Sequence, residues 1–286
     1  MFQRLLTLVD GSSVGMRALP YAAWLATAAH GEILLLRATT ADEQREDVEW
    51  ELAREVGRLR RRGLAARALV YGDEQRQTAD ALLIAQQAQQ ASLIVLATHG
   101  GRGPERALWG STADDVLRRA PVPVLLVPKR AQPAWPRRRP LRVLLSLDSS
   151  APAQPALLLV HHLTAVTPIR LLLAAVVDPG DQPAPTTQAS RAATPSPISE
   201  RLEVYLDAVA CRMRAAGMET SVHVCLDDAA PRLADVARDA HSDLIVMARS
   251  GRHGAMRALF GGDVRDVLCR LPIPLLLARP TDTASP

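Results

Sequence analysis

The chain has 286 residues, of which 48% are hydrophobic and 22% are charged. This composition is typical of a folded globular protein and excludes a chain that is mainly disordered. Aromatic residues make up only 3%, which excludes stacking of aromatic side chains on nucleic-acid bases as the main activity. The net charge is only +4, and much of the basic excess lies in two short arginine runs, 60–62 and 137–139. We therefore expect no nucleic-acid partner.

Cysteine and histidine spacing predicts neither a disulfide framework nor a metal site. The three cysteines, Cys211, Cys225 and Cys269, include no pair at CxxC spacing, and no histidine belongs to an HExxH motif. The longest apolar runs are shorter than the roughly 18 residues that a membrane span needs, so no membrane partner is expected. These features together favour a cytoplasmic location.

Two copies of one pattern make up the chain. The segment 4–13 and the segment 142–150 are both apolar runs that end in Asp and then Ser, and their aspartates, Asp10 and Asp148, lie 138 residues apart. Later landmarks repeat at an offset of 151, so the second copy holds extra residues, which we assign to a proline-rich surface loop at 178–197. Prolines in the junction forbid a continuous helix. We predict domains at 1–128 and 141–286, joined by a linker at 129–140.

Hydrophobic patterning predicts that strands and helices alternate in each copy. In chain order, the first copy has strand 4–9, helix 14–30, strand 33–38, helix 42–62, strand 66–70, helix 78–90, strand 93–97, helix 110–119 and strand 122–127. The second copy has strand 142–147, helix 152–164, strand 169–177, helix 198–216, strand 219–224, helix 230–240, strand 244–248, helix 263–270 and strand 273–278. Strict alternation predicts an α/β fold with two tandem, doubly wound, mostly parallel five-stranded sheets of the Rossmann-like kind.

A glycine-rich loop follows the fourth strand and leads into a helix. Its glycines allow the backbone to approach a ligand closely, and free N–H groups at the start of a helix attract an anion. The candidate phosphate-binding residues of this loop are Ala97, Thr98, Gly100, Gly101, Arg102, Gly103, Gly110, Ser111 and Thr112. The pattern is neither GxxxxGK[ST] nor GxGxxG. A turn with a simple helix cap would explain the same residues equally well.

The strand ends and this loop together resemble the universal stress protein family. The resemblance rests on Val-Asp-Gly-Ser at 9–12, Ala-Thr-His-Gly at 97–100, Gly-Ser at 110–111 and Ala-Pro-Val-Pro-Val-Leu-Leu-Val at 120–127, and it covers nearly the whole chain, once per copy. The nucleotide motif of that family is Gly, two residues, Gly, nine residues, Gly, then Ser or Thr. The first copy departs from it only at Ala97, so the resemblance implies an ATP site in the first domain, with or without Mg²⁺.

The resemblance also implies contacts to the adenosine part of the nucleotide. They fall on the turn after the first strand, at Asp10, Gly11 and Ser12, and on the backbone at the end of the second strand, near Ala38. Asp10 is equally well placed to cap the helix over 14–30.

The second copy departs from the nucleotide motif at both ends. The corresponding positions are Asp148, Ala248, Gly251, Gly261 and Gly262. No hydroxyl follows Gly261, and the carboxylate of Asp263 would repel a phosphate at the helix start. We expect this site to bind nucleotide weakly or not at all.

Three functions are compatible with these observations. The first is an ATP-binding stress-response protein without rapid turnover. The second is an interaction module of the same fold that binds no nucleotide, and the third is a slow ATPase. We assign no catalytic residue, because no carboxylate pair for Mg²⁺ accompanies the loop. The resemblance further implies that the last strands, Val122–Val127 and Ile273–Ala278, pair within the chain; whether two chains also form a homodimer is left open.

Overall fold

Strands and helices alternate along both halves of the computed structural model, which describes residues 1–39, 45–72, 78–98, 111–147, 154–177, 197–226, 229–248, 267–268 and 270–279. The first half contains β1 (Arg4–Leu8), α1 (Leu19–Ala29), β2 (Glu32–Thr39), α2 (Arg45–Arg61), β3 (Ala65–Gly72), α3 (Thr78–Ala88), β4 (Leu93–Thr98), α4 (Ser111–Arg119) and β5 (Val124–Pro128). The second half contains β6 (Leu141–Leu147), α5 (Gln154–Thr164), β7 (Ile169–Val177), α6 (Pro197–Ala215), β8 (Glu219–Leu226), α7 (Ala229–Asp239), β9 (Leu244–Ala248) and β10 (Leu275–Ala278). The predicted α/β alternation is confirmed for these elements, whereas most of the helix predicted over 263–270 and of the loop predicted over 178–197 lies outside the described residues.

Three predicted boundaries differ from the structure at places where a proline lies nearby. The helix predicted over 14–30 is split into a 3₁₀ turn, Gly15–Ala18, and α1, which begins at Leu19. Pro20 lies in the first turn of α1, where its missing N–H costs nothing. The last strand of each half begins two residues later than predicted, after Pro123 and Pro274.

Within the described residues the strands form one sheet in the order β3-β2-β1-β4-β5-β10-β9-β6-β7-β8. Neighbouring strands are parallel except at the centre, where β5 and β10 pair antiparallel with Leu126 opposite Leu275. The two five-stranded sheets are therefore joined edge to edge, and the predicted pairing of the last strands is present. The carboxyl ends of the strands in the first half lie at the same edge as the amino ends of those in the second.

Helices cover both faces of the sheet, and the core consists of aliphatic residues. Residues 33–36 of β2 are fully buried on both faces, as expected of a central parallel strand. On α2 the buried residues recur at helical spacing, at Val48, Leu52, Val56 and Leu59. One hydrophobic cluster contains residues of α1, α2, α5 and α6, and the other contains residues of α3, α4 and α7. No helix in the described part of the chain is both long and apolar enough to cross a membrane.

Residues 129–140 contain no helix or strand, yet they are held by both halves. Trp135 is 5% exposed and meets Tyr21 and Trp24 of α1 edge to face, at centroid distances of 4.9 and 5.3 Å. Its indole Nε1–H donates to the backbone oxygen of Asp243, just before β9, at 2.9 Å. The hydroxyl of Tyr21 donates to the backbone oxygen of Gln132. This segment therefore runs from the end of β5 to the start of β6 in contact with both halves of the chain.

Candidate functional site

The candidate site of the first half lies where the strand order changes direction, between β1 and β4. Ligands of open α/β sheets bind in the crevice that such a switch point leaves beyond the carboxyl ends of the strands. The register pairs Leu8 with Leu36 and Thr7 with Val95. Extending this register by two residues in β2 and by three in β4 places Asp10, Ala38 and Thr98 at one level at the carboxyl edge. Three candidate residues that are far apart in sequence therefore lie on adjacent strand ends.

The Asp10 side chain organises the turn after β1. Its Oδ1 accepts hydrogen bonds from the backbone N–H of Ser12 at 2.9 Å and from the Ser12 hydroxyl at 2.6 Å. The Ser12 Oγ in turn accepts the N–H of Gly15, the first residue of the 3₁₀ turn, at 2.9 Å. Asp10 thus orients the Ser12 hydroxyl that bonds the start of the 3₁₀ turn, whereas the N-cap residues Val14 and Ala18 make no side-chain cap.

Two glycines in this turn have no room for a side chain. A Cβ at Gly15 would lie 2.1 Å from Oδ1 of Asp10. Gly11 has a φ of +74°, which glycine adopts without strain, and a Cβ there would lie 2.4 Å from Nη1 of Arg37. Gly11 was predicted from the sequence, whereas Gly15 was not.

Arg37 is a buried cation that the sequence interpretation missed. It was counted within an apolar strand over 33–38, yet it is only 9% exposed and its guanidinium lies against Gly11. Its Nη1 is 3.4 Å from Oε2 of Glu51 on α2. The detectable signal was the one charged side chain in that run, placed one residue before Ala38.

Ala38 and Ala97 occupy the ends of β2 and β4. Ala38 is half-buried and is in register with Tyr71 of β3. Ala97 is half-buried and is in register with Val127 of β5. Both lie at the carboxyl edge, as the sequence predicted.

Thr98 ends β4 with a buried hydroxyl. The residue is 1% exposed, and its Oγ1 has no hydrogen-bond partner among the described residues. Its backbone oxygen accepts the N–H of Lys129 at 2.9 Å, which fixes the start of the linker beside the site. A buried hydroxyl without a partner is uncommon, and it leaves Thr98 with a donor that no described residue accepts.

The helix predicted after the glycine loop is present as α4, which begins at Ser111 and includes a half-buried Thr112. Its free N–H groups are suited to an anion. The remaining loop candidates lie outside the described residues: Gly100, Gly101, Arg102, Gly103 and Gly110.

Of the candidate site residues in the second half, only Ala248 lies within the described residues. Ala248 ends β9, is half-buried and is in register with Ala278. The other candidates, Asp148, Gly251, Gly261 and Gly262, lie outside the described residues. Among the residues that the structure does describe, no group of three or more His, Cys, Asp or Glu side chains could hold a metal ion.

Comparison with known proteins agrees with this fold and its repeat. The model of the universal stress protein family matches residues 1–128 and again residues 141–279. The chain belongs to the universal stress protein family, as a member with two tandem copies of the domain. A search of curated proteins found no match.

Solved structures share the fold over almost the whole chain. A universal stress protein from Archaeoglobus fulgidus DSM 4304 has a TM-score of 0.70 at 19% identity, covering 98% of each chain. A putative universal stress protein from Pseudomonas aeruginosa UCBPP-PA14 has a TM-score of 0.68 at 20% identity, covering 98% of this chain and 94% of that one. The cytoplasmic domain of a prokaryotic cation chloride cotransporter has a TM-score of 0.53 at 14% identity, covering 96% and 95%.

Proposed function

We propose that residues 1–128 form a domain that binds an adenine nucleotide, ATP, and that the protein acts in a stress response through this binding. The observation that supports the proposal most directly is the common level of Asp10, Ala38 and Thr98 at the switch point between β1 and β4. A nucleotide bound beyond this edge would adjoin the acidic side chain of Asp10 and the strand ends at Ala38 and Thr98. Together they match the different parts of a nucleotide.

Each group has a role that follows from its chemistry. Asp10 is exposed, and its Oδ2 accepts no hydrogen bond from a described residue, so it is available to ribose hydroxyls. The backbone at Ala38 would bond the base. The Thr98 hydroxyl and the start of α4 at Ser111 would donate to phosphate oxygens.

The residues of the glycine loop complete this proposed site. Arg102 would add a charged donor to the phosphates, and the loop glycines would let the backbone approach them. Mg²⁺, if it accompanies ATP, would be held mainly by the phosphates and by water. The second domain, 141–286, would act as a scaffold with a degenerate site. The proposed location is the cytoplasm.

Calorimetric titration of ATP with Mg²⁺ into the full chain tests the proposal. Asp10→Ala should weaken binding at least tenfold, because a hydrogen-bonded charge contributes about 1.5–3 kcal/mol. Asp148→Ala is the matched control from the second copy and should bind like wild type. Ser111→Asp should abolish binding, because it places a carboxylate where the phosphate would lie.

The same variants separate the alternatives. An interaction module without nucleotide predicts no heat signal in the wild-type protein. A slow ATPase predicts phosphate release that Ser111→Asp abolishes. Equal loss of affinity in Asp10→Ala and Asp148→Ala would place a competent site in both copies and contradict a degenerate second domain.

A further inference from the structure

We infer that Arg37 is a positioning residue of the first-domain site, which fixes the Asp10 turn by packing on Gly11. The inference rests on the proposed function and adds to it a residue outside the glycine-loop motif. Arg37 contacts the turn rather than the nucleotide.

The packing of Arg37 on Gly11 is close. A Cβ on Gly11 would lie 2.4 Å from Nη1, 3.2 Å from Cζ and 3.3 Å from Nη2 of Arg37, so the guanidinium occupies the space that any side chain would need. Gly11 connects Asp10 with Ser12, the two residues whose hydrogen bonds shape the turn. The position of the guanidinium therefore limits where the Asp10 carboxylate can lie.

The guanidinium is itself held from the other side. Arg37 projects from β2, whose backbone is in register with Val70 of β3, and its Nη1 lies 3.4 Å from Oε2 of Glu51 on α2. Only 11% of the Arg37 side chain is exposed. A buried, flat and anchored cation is a firmer support for a turn than a flexible surface side chain.

The second copy lacks both members of this pair. Arg4 pairs with Glu32 in the first half and Arg142 pairs with Arg170 in the second, so Arg37 corresponds to Ala175. The offset between Asp10 and Asp148 places Ser149 opposite Gly11 in the sequence alignment. The second copy therefore has a serine side chain at the position of Gly11 and only an alanine at the position of Arg37. This reciprocal change is expected if the two positions share one space.

A double-mutant cycle tests the inference in the full chain, with wild type, Gly11→Ser, Arg37→Ala and the double variant. For each we measure the thermal unfolding midpoint without nucleotide and the affinity for ATP well below that midpoint. The backbone strain of serine at a φ of +74° is the same with and without Arg37, so it cancels in the cycle. Arg67→Ala removes an exposed arginine of β3 that pairs with Glu32, and it serves as the matched control.

We expect Gly11→Ser to lower the thermal unfolding midpoint markedly when Arg37 is present. In the Arg37→Ala background, the same substitution should lower the midpoint much less. Arg37→Ala should weaken ATP binding about tenfold while remaining folded, which a purely structural role would not produce. Arg67→Ala should bind like wild type. The inference would be overturned if the midpoint shift of the double variant equalled the sum of the two single shifts. It would also be overturned if folded Arg37→Ala bound ATP with unchanged affinity. Failure of the wild type to bind ATP would instead refute the proposed function, on which the inference depends.

Discussion

Arg139 and Asp243 form a two-pronged ion pair between the linker and the residue before β9, with Nη1–Oδ2 and Nη2–Oδ1 distances of 2.6 and 2.8 Å. The hydrogen bond to Asp243 raises the pKa of Arg139 above its ordinary value, so this guanidinium stays charged at neutral pH. Oδ2 of Asp243 also accepts the N–H of Arg142 at 2.9 Å. One carboxylate therefore ties the end of the linker to the start of β6.

Asp243→Ala should lower the free energy of unfolding by about 1–2 kcal/mol, because three hydrogen bonds are lost at a carboxylate whose arginine partner is partly exposed. Chemical denaturation measures this value. Glu219→Ala is the control: it breaks the exposed Arg170–Glu219 pair and should cost about 0.5 kcal/mol or less. Equal losses in the two variants would contradict the anchoring role of Asp243.

Trp135→Ala should be among the most destabilising single changes in the linker. The substitution removes the ring that contacts Tyr21 and Trp24 together with the hydrogen bond to Asp243, and we expect a loss of about 3–5 kcal/mol. Trp50 is 64% exposed on α2, so Trp50→Ala should change the unfolding free energy by about 0.5 kcal/mol or less. Urea denaturation followed by circular dichroism compares the two. A small effect at Trp135 would mean that the linker contributes little to folding.

Ionisation of the buried Tyr21 phenol should lower the free energy of unfolding at alkaline pH. Burial raises its pKa to about 12 from the ordinary 10.0, so the folded state favours the neutral phenol. A raised folded pKa gives stability that is fully present below the unfolded pKa and is lost as the pH rises through the folded value. The unfolding free energy should therefore fall between pH 10 and 12, and Tyr21→Phe should lose less over this window. Denaturation curves at several pH values test the difference; parallel profiles would contradict it.

Gly15→Ala should disturb the Asp10 turn, because the added Cβ would lie 2.1 Å from the carboxylate oxygen. Displacing this oxygen breaks its bonds to Ser12, and we expect ATP affinity to fall about tenfold. Gly57→Ala is the matched control, since its Cβ meets only a flexible arginine at 3.4 Å on a helix and should stabilise by about 0.5–1 kcal/mol. Titration and thermal unfolding measure both effects. Unchanged affinity in Gly15→Ala would argue against a fixed Asp10 carboxylate.

Local patterns and the repeat were enough to predict most of the fold. Continuous apolar runs predicted the parallel strands, and the resemblance to the universal stress protein family implied that β5 and β10 would pair. The family resemblance implied Asp10 and Ala38 as site residues, and the glycine-rich loop after the fourth strand implied Thr98. Their common level depends on strand order and register, which local patterns do not encode.

Contacts between distant segments account for what the sequence did not predict. Arg37 lies in an otherwise apolar strand, and only the fold brings it against Gly11. Trp135 lies among prolines and arginines that suggest an exposed linker, yet it is buried against α1 and bonded to Asp243. In both cases a partner far along the chain determines the position of the side chain.

The most direct test of the central claim is to denature the freshly purified protein and to identify any released nucleotide by chromatography. We expect about one adenine nucleotide per chain, from the first domain, and none from Ser111→Asp. If none is released from wild type and titration of ATP with Mg²⁺ then gives no heat signal, the protein is an interaction module that binds no nucleotide. Release of about two per chain would contradict the degenerate second site.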